Sequence, residues 1–225
     1  MSTFRLGQIE EAVLLTLGAE GERVKEVRFR LRRLLAADRG FGRRPRAKAE
    51  VESYAFYGDR PLGTGIDVLF TAYEAFALLA AIKLLEHGFP PLMVVRLLRQ
   101  IRRQLEGAHG RCLQKDPKIL FNEEVLNRPA PAGTIAFSAT TPVILVVARL
   151  RDAADVDHVG IAAAAVCESN EEFGQFTRAH NFPGQIFSIF ELTRLIHVLA
   201  EHLLRVRVRK RGRRPQQTDN SDSDA

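Results

Sequence analysis

Between Arg23 and Lys48 the chain carries eleven Lys and Arg against two acids, Glu26 and Asp38, a net of +9 in 26 residues. Within its first half the apolar residues Val24, Val27, Leu31, Leu34 and Leu35 recur at helical spacing, so a helix is expected from about 23 to 37. Its other faces are nearly all Arg or Lys, which lets it join a core along one stripe and no more. The whole chain carries +6, so everything outside this window sums to −3. A second run, Arg205 to Arg214, adds seven cations and no acid. Sparser charge of this kind is usually a solvated face. At this density it is a footprint for a polyanion, nucleic acid or acidic lipid, because each neutralised phosphate releases counterions.

A chain of 225 residues holds one large domain or two modest ones, and an apolar share of 46% is enough to bury proper cores. Cys112 and Cys167 are far apart, without His at ligand spacing, whereas a structural zinc needs four N or S donors. No metal or other cofactor is expected, and both thiols read as reduced residues of a cytosolic protein. The first eight residues lack the apolar core of a signal peptide. The longest apolar runs, Pro142 to Ala148 and Val159 to Cys167, are about half the length of a membrane span. The expectation is a soluble, cytoplasmic, nucleoid-associated protein with no membrane partner.

Residues 4–18 pattern as a first helix with Phe4, Leu6, Ile9, Val13, Leu14 and Leu17 on its stripe and Gly18 as its stop. A short turn, 19–22, leads into the basic helix, which is the layout of a helix-turn-helix. Residues 38–69 are punctuated by glycine and proline. Between these breakers, 51–57 and 66–70 read as two strands of a hairpin, the position of a wing. Thr71 and Glu74 form a capping box for a helix running to His87 and stopping at Gly88. Pro90-Pro91 starts another through about Glu106, with Arg96, Arg99, Arg102 and Arg103 along one side.

Over residues 4–106 the chain resembles the MerR family of transcription regulators. Phe4-Arg5-Leu6-Gly7-Gln8-Ile9 is similar to that family's opening segment, and Val24-Lys25-Glu26-Val27-Arg28-Phe29, followed by Leu34-Leu35, to its recognition helix. Phe70-Thr71-x-x-Glu74 resembles the start of its third helix, and Gly88-Phe89 with Val94, Leu97 and Leu98 continues the pattern. The chain departs from it in a first turn about four residues longer, in Arg30 at the second aromatic of the recognition helix, in Val68 at the wing arginine, and in a longer basic wing. The resemblance implies that Lys25, Arg28 and Arg32, with Arg23 near the helix start, enter the major groove. Arg43, Arg44 and Arg46 would lie at the wing base beside phosphates or in the minor groove. Tyr54, Phe56 and Tyr57 are wing contacts or core, and strand aromatics favour core.

The basic end, Lys210 to Pro215, resembles an AT-hook interrupted by Arg214, and a basic tail adding non-specific affinity is the favoured reading. Arg211, Arg213 and Arg214 are its candidate contacts, and 216–225 should be disordered. Before it, Ser188 and Glu191 form a second capping box, and Leu192, Leu195, Ile196, Leu199 and Leu203 give a helix from 187 to 204, the candidate for a homodimer surface. A short strand at 134–138 is possible from pattern. Residues 143–149 and 159–167 are open between helix and buried strand, and 171–180 looks helical.

Nothing in the sequence supports catalysis. Asp155, Asp157 and His158 crowd one loop and make a poor metal shell; Cys167 has only distant histidines; His197 and His202 lie five apart on different helix faces; Gly63-Thr64-Gly65 lacks the lysine of a phosphate loop. The expectation is a mostly α protein: a MerR-like winged helix-turn-helix over 1–110 with a small hairpin wing, a largely helical dimerisation or effector domain over 111–204 with room for a short strand or two, and a tail over 205–225. Its function is that of a sequence-specific transcription regulator, not an enzyme, acting on double-stranded DNA as a homodimer, with an unidentified small-molecule or protein effector. The competing classes are an architectural or mobile-element DNA-binding protein and an RNA-binding protein, with an enzyme third.

Overall fold

Two short strands join the ends of the N-terminal half: β1 (Thr3–Arg5) pairs antiparallel with β2 (Leu69–Thr71), Phe4 opposite Phe70. The structure is a computed structural model and describes residues 2–41, 54–58, 68–129, 135–151 and 159–207. Helices α1 (Leu6–Leu17) and α2 (Glu22–Phe41) follow β1, and α3 (Ala72–Glu86) and α4 (Pro91–Gln114) follow β2. The turn between α1 and α2 is held by Gly18 and Gly21, both at φ 56°, with the Gly18 N–H directed at the Leu14 and Leu15 carbonyls. A Cβ at either position is strained, so Gly18→Ala should cost roughly 1 kcal/mol, read as a lower urea midpoint at unchanged slope.

Helix α3 is the centre of the molecule. The residues from Tyr73 to Ile82 are all buried, against α1, α2, α4 and α8 (Thr193–Arg205). The expected capping box is present: Thr71 Oγ1 accepts from the Glu74 N–H at 3.2 Å, and Glu74 Oε2 accepts from the Thr71 N–H at 2.7 Å. On α2 the expected stripe is the buried one, with Val27, Leu31, Leu34 and Leu35 in the core and Val24 packed at its edge. Helix α4 runs past Glu106 to Gln114 because Leu105, Ala108 and Cys112 continue its apolar face. The expected domain division at 110/111 thus falls inside α4, and a single apolar core joins α1 to α4 with Val143, Leu145, Val147, Phe190, Ile196, Leu199 and Leu203.

No wing hairpin is described. Residues 54–58 hold no strand, and β2 pairs with β1 at the N-terminus, while 51–53 and 66–67 lie outside the described residues. The reason is where the backbone groups of 54–57 go. The Ala55 and Phe56 N–H groups donate to the Asp38 carboxylate at 3.2 and 3.0 Å, and the Tyr54 and Tyr57 carbonyls accept from Arg102. Side chains from α2 and α4 thus take the place of a partner strand. Phe56 and Tyr57 are buried, as the core reading of these aromatics has it.

After two single-turn helices, α5 (Pro117–Leu120) and α6 (Glu123–Leu126), the C-terminal half departs from the largely helical expectation. It contains an antiparallel sheet in the order β4-β3-β5, made of β3 (Ile144–Arg151), β4 (Val159–Cys167) and β5 (Gln185–Glu191), with α7 (Asn170–Ala179) between β4 and β5. The central strand is buried on both faces, which removes the polar alternation that would have marked it as a strand. Leu145 and Val147 face the main core; Ile144 and Val146 face a second cluster with Phe137, Phe173, Phe176 and Phe187. Residues 135–137 form no strand.

The final helix begins at Thr193, not at 187. Ser188 and Glu191 lie in β5, paired with Val147 and Ile144, and Glu191 accepts from the Ser138 N–H at 2.8 Å and Oγ at 2.9 Å. The Ser-x-x-Glu spacing therefore caps nothing here. Ile196, Leu199 and Leu203 of α8 are buried within the same chain, so this stripe is not free to dimerise. Among the described residues no helix is long and apolar enough to cross a membrane.

At the α4–α8 junction His109 is 6% exposed, stacked on Phe76 at 5.0 Å between ring centroids. Burial, with some help from His197, pushes its imidazole down to about 4 from an ordinary 6.5. Between those two values the unfolded chain binds a proton that the folded chain refuses. Stability should therefore fall as the pH drops through this window, by up to about 3 kcal/mol from this group. Urea titrations at pH 7, 5.5 and 4 check it: His109→Leu should show the shallower decline.

Candidate nucleic-acid interface on the basic helix

Helix α2 is anchored on one side by its apolar stripe, and this fixes where its cations point. Lys25, Arg28 and Arg32 follow one another at intervals of three and four residues and so share a face. Their side chains are 78%, 41% and 68% exposed, enough for all three to reach a ligand in solvent. Beneath them lies Glu10 of α1, only 10% exposed, which takes Arg32 Nε at 3.1 Å and faces Arg28 Nε at 3.8 Å. One carboxylate thus hydrogen-bonds Arg32, attracts Arg28 at longer range without a hydrogen bond to its buried Nε, and leaves the face cationic. Lys25 makes only a solvent-exposed pair with Glu22 at 2.9 Å, which adds little stability.

Arg23 does not belong to this face. Its Nη2 bonds Glu86 of α3 at 2.9 Å, where Lys83 Nζ also binds at 2.7 Å. Burial alone would raise the Glu86 carboxyl, but the hydrogen bonds from Lys83 and Arg23 outweigh it and hold the group below its ordinary value. Arg23 is thus a tie between α2 and α3. Arg43, Arg44 and Arg46 of the expected wing, and Arg211, Arg213 and Arg214 of the tail, lie outside the described residues, as do Asp155, Asp157 and His158.

One feature of the surface was not singled out from sequence. Phe29 is 64% exposed beside the cationic face, lining with Arg30, Arg33 and Pro91 a shallow cleft of about 280 Å³. An aromatic ring among arginines offers a base or a sugar an apolar contact. The sequence signal was available, since Phe29 falls between the apolar positions of the stripe. Conversely, the basic side expected on α4 is divided. Arg99 is buried, its Nε bonding Asp38 Oδ1 at 2.7 Å and its Nη2 the Asp38 carbonyl at 2.6 Å. Arg102 lies over the Tyr73 ring at 5.2 Å and bonds the Tyr57 carbonyl at 2.8 Å. Those two guanidinium groups hold the fold together, and spacing could not tell them from Arg28 and Arg32.

Arg39 extends the cationic edge of α2 inward. Its Nε donates to Tyr57 Oη at 2.9 Å, and its guanidinium lies 5.2 Å from that ring's centroid. Burial raises the Tyr57 hydroxyl to about 12, against the pull of Arg39, so it stays protonated.

The two cysteines show none of the environment that activates a thiol. Both are buried, and burial pushes each up to about 11. His197 Nε2 lies 3.2 Å from the Cys112 carbonyl oxygen and His202 Nδ1 lies 3.0 Å from Thr16 Oγ1, so the two α8 histidines take separate partners. Comparison of the chain with protein-family models, with curated proteins and with solved structures gives no match.

Proposed function

We propose that this chain is a sequence-specific DNA-binding regulator of MerR-like type, which lays α2 in the major groove through Lys25, Arg28 and Arg32. The observation that carries the reading is the single face these three cations share on a 20-residue helix whose neighbouring apolar stripe is fixed in the core. A helix of that length and width fits the major groove, and arginine can bridge guanine O6 and N7 while lysine meets phosphate as a point charge. α1 and the short glycine turn then act as the first half of a helix-turn-helix, with Glu10 holding Arg32 by a hydrogen bond and drawing Arg28 by charge. Arg43, Arg44, Arg46 and the 205–214 run add phosphate contacts on either side. Two copies reading two half-sites would supply the affinity one small unit lacks.

Fluorescence anisotropy with duplex from the region upstream of the chain's own gene, against scrambled duplex, tests this across a salt series. Tighter binding to the native duplex that survives about 0.15 M salt is expected. Equal binding to both duplexes that collapses with salt would leave a non-specific or architectural binder. Duplex losing to single-stranded RNA in competition would move the assignment to RNA.

A further inference from the structure

A second site lies away from the basic face. Between β1, the start of α3, the C-terminal third of α4 and the end of α8 is a groove of about 380 Å³, open to solvent and walled mainly by Phe4, Ala72, Leu113, Ala200, Leu203 and Leu204. That is within the range of small-molecule pockets, and its mixture of apolar wall and few polar groups is their usual composition.

Two observations mark it as more than a packing gap. The first is His109, which lines the groove, is 6% exposed and has no hydrogen bond among the described residues. Neither ring nitrogen is among the buried side-chain atoms that lack a partner, so the imidazole reaches the groove, where the donor of a ligand can take the place of water. The second is Gly110, also in the wall. It sits four residues before the last residue of α4, still within the helix, where glycine is unfavourable relative to alanine, and a Cβ built there meets nothing within 4 Å. No neighbour requires a glycine at this position; what it leaves is the open volume beside His109.

We infer that this groove binds a small uncharged aromatic or alicyclic molecule carrying one N–H or O–H donor, which His109 accepts. Burial keeps the imidazole neutral near pH 7, so it offers one acceptor nitrogen and attracts no anion. Glu106, with a half-exposed carboxylate, also lines the site and disfavours anionic ligands further. The site adjoins the Arg102 clamp, since Glu106 lies 3.6 Å from Arg102 and Tyr73 carries that guanidinium over its ring. A ligand would therefore stiffen the α4 segment that holds 54–57. The inference does not rest on the DNA reading and is tested without DNA.

The probe is indole, with toluene as the same apolar class lacking a donor and benzoate as the anion. Binding to the full chain is followed by thermal shift and by ligand-observed NMR. Saturable binding of indole, weaker binding of toluene and none of benzoate are expected. His109→Leu should weaken indole at least ten-fold and erase its advantage over toluene. Gly110→Leu, which fills the groove and improves α4 as a helix, should abolish both while raising the melting temperature of the free protein. Failure of indole to bind at millimolar concentration overturns the proposal. So does binding that is unchanged in the two variants, since the ligand would then sit elsewhere.

Discussion

Replacing Asp38 with alanine is expected to destabilise the fold by roughly 3–5 kcal/mol, the cost of removing one side of a buried ion pair. Asp38 is fully buried on α2, and its carboxylate is the acceptor for three donors at once: Arg99 Nε at 2.7 Å and the Ala55 and Phe56 N–H groups at 3.2 and 3.0 Å. Truncation takes the carboxylate from a guanidinium that is 6% exposed and from two buried backbone donors together, while the guanidinium keeps the residue-38 carbonyl and the Tyr54 ring. Because the three donors come from α4 and from the 54–57 segment, the loss would also free that segment from the core. Urea unfolding of Asp38→Ala against wild type measures the cost. The double variant Asp38→Leu with Arg99→Met tests its origin: it should recover part of the stability, since an apolar pair of similar volume leaves no charge buried. A change below about 1 kcal/mol in the single variant would show that the pair is not a support of the fold.

The second large effect concerns binding. Lys25→Ala, Arg28→Ala and Arg32→Ala together should reduce the slope of log K against log salt by about 2 to 3, close to one unit for each phosphate contact removed. If Arg28 or Arg32 reads a base, that residue alone should cost about 1–3 kcal/mol and relax sequence choice at one position. The side chains sit on the outer face of α2, so the far-ultraviolet circular dichroism should not change. Glu10 bonds Arg32 and draws Arg28 by charge, which makes Glu10→Gln a useful companion: it loosens both side chains without removing a cation, and binding should strengthen slightly or stay level. Arg23→Ala is the contrast, because Arg23 is engaged with Glu86; it should weaken the α2–α3 contact more than DNA binding. Equal losses from Arg23 and Arg32 would argue that charge count, not the face, governs affinity.

What could be read without coordinates was what local physics decides. The stripe of α2 is set by spacing of Val27, Leu31, Leu34 and Leu35, and the Thr71–Glu74 box closes within three residues. The same local rule failed at Ser188–Glu191, where pairing of β5 with β3 claimed the backbone that a helix start would have used. The C-terminal sheet was illegible for a related reason. Its central strand meets apolar neighbours on both sides, so Ile144 to Ala148 is a continuous hydrophobic run that helix and strand share. Within the candidate interface, sequence proposed Arg23, Lys25, Arg28 and Arg32 alike. It could not see that Glu86 of α3 ties the first, while Glu10 of α1 lies beneath Arg28 and Arg32.

The sequence by itself determined that a cationic helix with one apolar stripe exists near the N-terminus, that Gly18 ends the helix before it, and that Thr71 starts the central one. These depend on residues a few positions apart, whose energies change little with surroundings. Only the tertiary structure decided which arginines face water and which are spent inside, why 54–57 follows Asp38 and Arg102 in place of a partner strand, and that α8 closes onto its own chain. Those outcomes depend on groups separated by tens of residues, as Arg99 is from Asp38, and a charge or an apolar stripe has no fixed meaning until the fold sets what stands opposite it.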